Sequence, residues 1–235
     1  MKKTALPRKR DNAIDKRQMI LETALKLFQT EGYRAVGIDR VIAESGVAKM
    51  TMYKHFASKN ALIAAVLQAR DERFRQGLTQ FVARFSDPVD RLRALFLWHH
   101  HWFQSPSFHG CMFINALAEF SDPEHPARQA AACHKTWLKT FIDTLLTPLL
   151  EASDPASNAK TRQRLALQYA LFLDGATVAA QLAHPSCTVQ CGEGGGEHAA
   201  AFLVWQAAVG LLRQEGLKIE PGDVFGAASD AEQAG

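Results

Sequence analysis

Apolar residues near the N-terminus recur with the spacing of one helical face. Ile20, Ala24, Leu27 and Phe28 follow an i, i+4, i+7, i+8 pattern, which places them on the same side of a helix. Gly32 comes next and suits the position just past a helix end. The pattern therefore predicts a first amphipathic helix over about residues 11–32.

A second, much shorter apolar period follows. Within residues 38–45, Ile38, Val41 and Ile42 share one face of a short helix and are expected to point inward. Gly46 ends this helix because glycine readily adopts the backbone conformation of a sharp turn.

A third short helix is expected over about residues 49–55, and a long fourth helix after it. Ser58 can cap the fourth helix, because its hydroxyl accepts a free backbone N–H of the first turn. The buried side of the fourth helix is expected at Leu62, Val66, Ala69, Phe74, Leu78, Phe81 and Phe85.

The remainder of the chain also has helical periodicity. Proline-containing turns and a glycine cluster at Gly192–Gly196 separate its segments. No stretch alternates with period two for long enough to indicate a sheet, so the predicted fold class is all-α. Five further helices are expected over about residues 88–104, 109–120, 125–151, 159–184 and 197–215.

Residues 34–62 combine two short helices and a glycine-containing turn, with a longer helix on either side. This is the arrangement of a helix-turn-helix. Gly46 permits the turn, and Val47 is expected to anchor it in the core. Met52 and Phe56 are expected to pack behind the third helix, which leaves its other face free to enter a groove.

The net charge of +3 conceals an uneven distribution. Residues 1–70 carry a net charge of +8, whereas residues 71–235 carry −5. A basic unit joined to an acidic body indicates that the first unit binds a polyanion. Nucleic acid and an anionic membrane surface both fit this charge.

Composition narrows the class of protein. Hydrophobic residues make up 47% and charged residues 22%, which excludes wholesale disorder. The four cysteines are irregularly spaced and form no disulfide framework, so a cytoplasmic protein is expected. No uninterrupted apolar run reaches about 18 residues, and no apolar signal segment follows the basic N-terminus, so neither a transmembrane helix nor secretion is expected.

The segment Gly46–Leu62 has the spacing G-V-x-x-x-T-x-Y-x-x-F-x-x-K-x-x-L. With the preceding run Ile20–Ala43, it resembles the TetR family of one-component transcriptional regulators, closely over about residues 14–66. A weaker likeness, from Gly110 to Phe120, is to a motif in some ligand-binding domains of the family. The resemblance selects DNA as the anionic partner. It implies a homodimeric, ligand-responsive regulator, usually a repressor, that needs no cofactor.

The resemblance also assigns DNA contacts to particular residues. Thr51 and Tyr53 stand where the family contacts DNA, and Lys59 matches its phosphate-binding lysine at the start of the fourth helix. A cation beside free helix N–H groups suits a phosphate. For His55, packing at the helix end is an alternative to DNA contact. The predicted DNA-binding residues are Lys49, Met50, Thr51, Tyr53, Lys54, His55 and Lys59.

A basic arm precedes the first helix. The arm could enter an adjacent minor groove, and a solvated tail is the alternative. Its basic residues are Lys2, Lys3, Arg8, Lys9 and Arg10.

Two positions depart from the family pattern. Ala48 stands where serine is common, so a helix cap worth about 1 kcal/mol is expected to be lost. Met50 replaces a small residue, and its longer side chain could contact a thymine methyl group or exclude an operator that other members accept. An interaction module that no longer binds DNA therefore remains an alternative.

The second part of the chain resembles the effector and dimer domain of such regulators. Pseudo-palindromic operators need two recognition helices about 34–36 Å apart. The last two helices are apolar over more than one face, so they are expected to form a two-fold four-helix interface. The predicted divisions are a flexible arm at 1–12, a DNA-binding domain at 13–70, an effector and dimer domain at 71–217 and a mobile tail at 218–235.

Aromatic residues are concentrated between positions 96 and 141. Most are expected to be ordinary core, but together they suit a cavity for an apolar or aromatic effector. The family resemblance implies that effector binding moves the fourth helix, changes the spacing of the recognition helices and releases the DNA. The predicted effector-binding residues are Trp98, Trp102, Phe113, Asn115, Glu119, Trp137, Phe141 and Gln168.

Metal and thiol chemistry have weaker support. The run His99–His101 is not expected to bind metal, because consecutive helical residues point about 100° apart. His184, Cys187, Cys191 and His198 could supply four ligands, but their spacing is not that of a familiar zinc site. No metal site is therefore predicted. Cys111 and Cys133 are more simply buried structural thiols than redox sensors, since no basic group in the nearby sequence clearly activates either.

The sequence contains no familiar catalytic motif. It has no phosphate-binding P-loop, nucleotide-binding glycine fingerprint, nucleophile elbow or metalloprotease motif. The protein is therefore not expected to be an enzyme.

Overall fold

The computed structural model describes residues 8–150, 155–183 and 199–220. In these ranges the secondary structure is helical, and no strand occurs, which confirms the all-α prediction. The helices are α1 (Arg8–Glu31), α2 (Ile38–Ser45), α3 (Lys49–His55), α4 (Lys59–Val82), α5 (Pro88–Phe103), α6 (Met112–Glu119), α7 (Pro126–Leu150), α8 (Pro155–Ala183) and α9 (Ala199–Gln214).

Three helices begin three or four residues away from the predicted start, whereas the other compared boundaries agree within two residues. Helix α1 begins at Arg8, so residues 8–12 are helical although they were expected to belong to a flexible arm. Helix α6 begins only at Met112, because Gly110 has a φ of 81°, a left-handed conformation that a right-handed helix cannot include. Helix α8 begins at Pro155, since proline is tolerated in the first helical turn.

Close backbone contacts divide the chain into two compact units. Within the described residues, unit 1 consists of the chain up to Arg73 together with Met112–His134. Unit 2 consists of Phe74–Cys111 and the described residues from Lys135 onward. Helix α6 and the start of α7 therefore belong with the N-terminal helices, an association that the sequence pattern did not predict.

The core of unit 1 is formed around α1. Ile20, Ala24, Leu27 and Phe28 are all at most 4% exposed, which confirms the predicted inward face of this helix. The ring of Tyr33, just beyond α1, lies 5.5 Å from that of Phe28 and is fully buried. Helices α2 and α3 both pack against α1.

The core of unit 2 is formed by α5, α8 and α9 together with α7 and the C-terminal part of α4. Trp205 of α9 is fully buried, with its ring centroid 5.3 Å from that of Phe96 in α5. The Tyr169 hydroxyl of α8 donates to the Ala208 carbonyl of α9 at 2.7 Å. Past α9, Ile219 is buried and its carbonyl accepts from Arg213 at 2.7 Å, so residues 218–220 are packed although the sequence predicted a mobile tail from 218.

One helix among the described residues is long and apolar enough to cross a membrane by length and composition alone. It is the Asn158–Leu182 part of α8, where the sequence analysis expected no such segment. Leu165, Tyr169 and Leu173 on this helix are buried in the core of unit 2, as in the core helix of a globular domain. An apolar helix that packs in a core passes the same length and composition test.

Candidate nucleic-acid interface

The turn between α2 and α3 sets the geometry of the interface. Gly46 has φ 67° and ψ 15°, the left-handed conformation that lets the chain leave α2 sharply. Val47 follows and is only 8% exposed, so it anchors the turn as predicted. Val41 is buried behind the turn, and Ile38 and Ile42 are half-buried. The angle between α2 and α3 is therefore determined by residues in and beside the turn itself.

Helix α3 has one buried side and one exposed side. Met52 and Phe56 are buried, and the Phe56 N–H donates to the Met52 carbonyl at 2.9 Å and ends the helix. On the other side, Met50 is 83% and Tyr53 is 42% exposed. The remaining predicted contacts are Lys49 and Lys54, which are exposed, and Thr51 and His55, which are half-buried.

The start of α4, which follows α3 closely along the chain, carries the cation of Lys59. The Ser58 hydroxyl accepts the Ala61 N–H at 3.1 Å, which confirms the predicted cap. The Lys59 ammonium donates to the Arg34 carbonyl at 3.2 Å. Burial of this ammonium lowers the pKa of Lys59 below its ordinary value, and the negative charge of Glu119 opposes the shift. A positioned ammonium at a helix N-terminus is suited to a phosphate group.

One acidic residue in this region was missed by the sequence analysis. Asp39 of α2 forms an ion pair with Lys49, with 3.3 Å between Oδ1 and Nζ. Both side chains are more than 60% exposed, so the pair is weak and can exchange for a pairing of Lys49 with an incoming anion. Only a contact between neighbouring helices, which spacing along the chain does not reveal, brings the two residues together.

Ala48 occupies the N-cap position of α3. Its φ of −67° and ψ of 145° are the extended values of a cap residue, but no side-chain hydrogen bond caps this helix. The departure from serine therefore leaves backbone donors of the first turn without a side-chain acceptor, as the sequence predicted.

Restoring the cap is expected to stabilise the protein. Ala48→Ser should raise the free energy of unfolding by about 1 kcal/mol, because the new hydroxyl can accept a first-turn N–H. Urea denaturation followed by far-UV circular dichroism measures the difference. The matched control is Ala43→Ser at an exposed position inside α2, which should lower stability by up to about 0.5 kcal/mol because serine is a poorer helix former. Equal effects of the two substitutions would exclude capping as the cause.

The predicted effector residues are divided between the two units. In unit 2, Phe74 lies at the centre of an aromatic cluster, with ring centroids 4.7 Å from Trp98, 5.9 Å from Trp102 and 6.4 Å from Trp137. Phe141 stacks on Trp137 at 5.2 Å. The structure thus brings four of the predicted effector residues together in one cluster. Phe74, at its centre, was predicted only as a buried residue of the fourth helix.

The other four predicted effector residues lie elsewhere. In unit 1, Phe113 stacks on the buried His134 at 3.7 Å, and Asn115 is half-buried on α6. Both carboxylate oxygens of Glu119 accept backbone N–H groups from the turn after α1, so the turn holds this side chain in place. In unit 2, Gln168 accepts from Arg164 on the exposed side of α8.

The described residues contain no group of three histidine, cysteine or acidic side chains that could hold a metal ion. His99 is buried and His101 is exposed, so the histidine run does not converge. His184, Cys187, Cys191 and His198 lie outside the described residues. Cys111 is buried as predicted, and its Sγ lies 3.8 Å from the Lys135 ammonium, a basic neighbour that the sequence analysis did not find. Cys133 is exposed, so the prediction of a buried thiol is wrong at that position.

Comparison with known proteins supports the interpretation of α1–α4. Residues 20–66 match the family model described as bacterial regulatory proteins, tetR family. The transcriptional regulator LmrA of Bacillus subtilis is 29% identical over 136 residues, which cover 56% of this chain and 71% of LmrA. The transcriptional activator FasR of Mycolicibacterium smegmatis is 36% identical over 80 residues, but these cover only 34% of this chain and 36% of FasR.

A solved structure extends the similarity beyond the N-terminal helices. A TetR-family transcriptional regulator from Streptomyces coelicolor superimposes with a TM-score of 0.72 and 28% sequence identity. The match covers 86% of this chain and 96% of that protein. A single solved protein thus matches both the helix-turn-helix and the helices that follow it. Residues 20–66 of this chain are a helix-turn-helix segment of the tetR family of bacterial regulatory proteins, and the described chain is similar in fold to a TetR-family transcriptional regulator.

Proposed function

We propose that this chain is a cytoplasmic repressor that binds a pseudo-palindromic operator as a homodimer and is released by an apolar or aromatic small molecule. The observation that carries the DNA-binding part is the exposed side of α3, which Lys59 follows at the start of α4 with its ammonium held by the Arg34 carbonyl. In this proposal Lys59 and Tyr53 bind backbone phosphates, and Met50 contacts base edges in the major groove. The other contacts are Lys49, Thr51, Lys54 and His55.

Removing the phosphate contacts is expected to weaken operator binding. Lys59→Ala should reduce affinity about tenfold and make the salt dependence shallower by about two per dimer, because each protomer loses one phosphate contact. Tyr53→Ala should also reduce affinity about tenfold, with a smaller change in salt dependence because the hydroxyl is neutral. Fluorescence anisotropy over a salt series measures both, with DNA from upstream of the gene for this chain.

The control for these variants is Lys26→Ala. Lys26 is an exposed lysine of α1, so its removal takes away the same charge from the same unit. Its effect on affinity should be less than about twofold, because surface charges away from the interface are screened. Wild-type binding by both the Lys59 and Tyr53 variants would remove them from the DNA interface.

An exposed apolar stripe on α8 supports the homodimer. The stripe consists of Leu167, Leu171, Val178 and Leu182, whose spacing of four, seven and four residues places them on one helical face. They are between 44% and 68% exposed, and on α9 Leu203 is 58% exposed. Helices α8 and α9 thus present apolar surface that a second copy of the same surface can cover.

The aromatic cluster of unit 2 supports an apolar or aromatic effector. Its aromatic side chains offer faces and edges on which an apolar ring can pack. We propose that Trp98, Trp102, Trp137 and Phe141 contact the effector, with Phe113, Asn115 and Gln168 as further candidates from the sequence. Release then follows if the effector binds more tightly to the conformation that fits DNA poorly.

The direction of regulation has one competing candidate. FasR is named as an activator, so activation by this chain is the alternative to repression. A reporter gene placed behind the bound upstream region separates the two. Deletion of the gene for this chain should raise reporter expression if the protein is a repressor and lower it if it is an activator.

A further inference from the structure

Two hydrogen-bonded attachments join α6 to the turn after α1, all within unit 1. The buried Tyr33 hydroxyl donates to the Met112 carbonyl at the start of α6, at 2.8 Å. At the other end of α6, Glu119 accepts the Tyr33 N–H at 3.0 Å and the Arg34 N–H at 2.8 Å. Because the attachments lie at opposite ends of α6, they fix the orientation of the helix as well as its position.

The shape of the turn admits the Glu119 carboxylate closely. Gly32 has a φ of 85°, and a Cβ added there would lie only 3.1 Å from Glu119 Oε1. The Arg34 guanidinium adds a third bond, in which its Nε donates to the Glu119 main-chain carbonyl at 2.9 Å. Three hydrogen bonds thus join two adjacent turn residues to a single residue of α6.

The same turn also holds Lys59. The Arg34 carbonyl accepts one N–H of the Lys59 ammonium at 3.2 Å, and an ammonium has three such donors. Arg34 is therefore bound through its N–H by Glu119 and through its carbonyl by Lys59. The position of the ammonium depends on the turn, and the turn depends on Glu119.

We propose that Glu119 is a positioning residue for DNA binding, which holds the Lys59 ammonium where it meets a phosphate. The inference rests on the proposed phosphate contact of Lys59. Glu119 itself touches no DNA in this arrangement. Its negative charge alone would repel DNA, so its contribution comes from the geometry of the turn. A displacement of α6 then moves the phosphate contact with it.

The test compares Glu119→Gln and Glu119→Asp with Lys59→Ala by fluorescence anisotropy over a salt series. The probe is duplex DNA from upstream of the gene for this chain. Glutamine keeps the length but cannot accept both N–H groups, and aspartate keeps the charge but has a shorter reach. Both variants should weaken binding by about fivefold to tenfold and make the salt dependence shallower by about two per dimer, as in Lys59→Ala. Combining either with Lys59→Ala should weaken binding little further, because one contact is lost in each case.

Two control variants separate positioning from a general loss of stability. Tyr33→Phe removes the other attachment of α6 but leaves the bonds of Glu119 to the turn, so it should lower the melting temperature and leave the salt dependence of binding unchanged. Glu124→Gln removes an exposed carboxylate from the same unit and should leave both quantities unchanged. Far-UV circular dichroism confirms folding of each variant before binding is measured.

Three results would overturn the inference. The first is an additive loss when a Glu119 variant is combined with Lys59→Ala. The second is weaker binding by Glu119→Gln but not by Glu119→Asp, or tighter binding by either variant. The negative charge of Glu119, and not the position of Lys59, would then be responsible. The third is unchanged salt dependence in both Glu119 variants while Lys59→Ala shows its expected change. Wild-type binding by Lys59→Ala would instead refute the proposed phosphate contact on which the inference rests.

Discussion

Replacing Leu171 with aspartate is expected to convert the protein from a dimer to a monomer and to reduce operator binding at least about 100-fold. Leu171 is 60% exposed near the middle of the apolar stripe on α8. Its burial at a two-fold interface contributes about 1.5–3 kcal/mol per leucine, and each interface contains two copies. An aspartate there would also bury two like charges, which adds to the cost. A monomer binds only one half-site, so its affinity for the operator is lower than that of the dimer.

Analytical ultracentrifugation measures the change in assembly, and anisotropy with operator DNA measures the change in binding. The control is Thr140→Asp, which introduces the same charge at an exposed position of α7 in unit 2, away from the stripe. This control should remain dimeric and bind DNA as the wild type does. If Leu171→Asp stays dimeric with unchanged DNA affinity, the apolar stripe is not the dimer interface.

Replacing Trp205 with alanine is expected to destabilise the protein by about 3–5 kcal/mol, because it removes a large side chain from a filled core. Trp205 is fully buried in unit 2, where it contacts Phe96 and lies beneath the Arg93 guanidinium at 5.8 Å. The loss combines the transfer free energy of the indole with the cavity that remains. It is comparable with the whole stability of many domains, so a large unfolded fraction at 37 °C is expected.

Urea denaturation monitored by far-UV circular dichroism gives the free energy of unfolding for this variant. The matched control is Gln206→Ala, at the next position of α9, whose side chain is exposed. It should change stability by less than about 0.5 kcal/mol. A Trp205→Ala protein within about 1 kcal/mol of the wild type would show that α9 does not complete the core of unit 2.

The parts of the fold that could be predicted from sequence are those with local causes. Gly46 adopts the left-handed turn that its position between two apolar periods requires, and the observed bounds of α2 and α3 are those predicted. Ser58 caps α4, and Ala48 leaves α3 without a side-chain cap, because both effects involve neighbouring residues. The all-α class follows from the same short-range periodicity.

The parts that could not be predicted depend on contacts between distant residues. Glu119 and Arg34 are 85 positions apart, and nothing in the spacing of either segment indicates that they meet. Glu119 was therefore assigned to an effector, whereas it binds the turn after α1. Cys111 and Lys135 meet across 24 positions for the same reason. Periodicity identifies which face of a helix is apolar, but it does not identify the partner of that face.

Genome-wide mapping of bound DNA tests most directly the claim that α3 and Lys59 form a sequence-specific DNA interface. The comparison is between the wild-type protein and a Tyr53→Ala, Lys59→Ala double variant expressed at the same level. We expect the wild type to occupy a small number of sites that share a two-fold symmetric sequence, and the double variant to lose them. Equal occupancy by the two proteins, or wild-type binding without any shared sequence, would contradict this account.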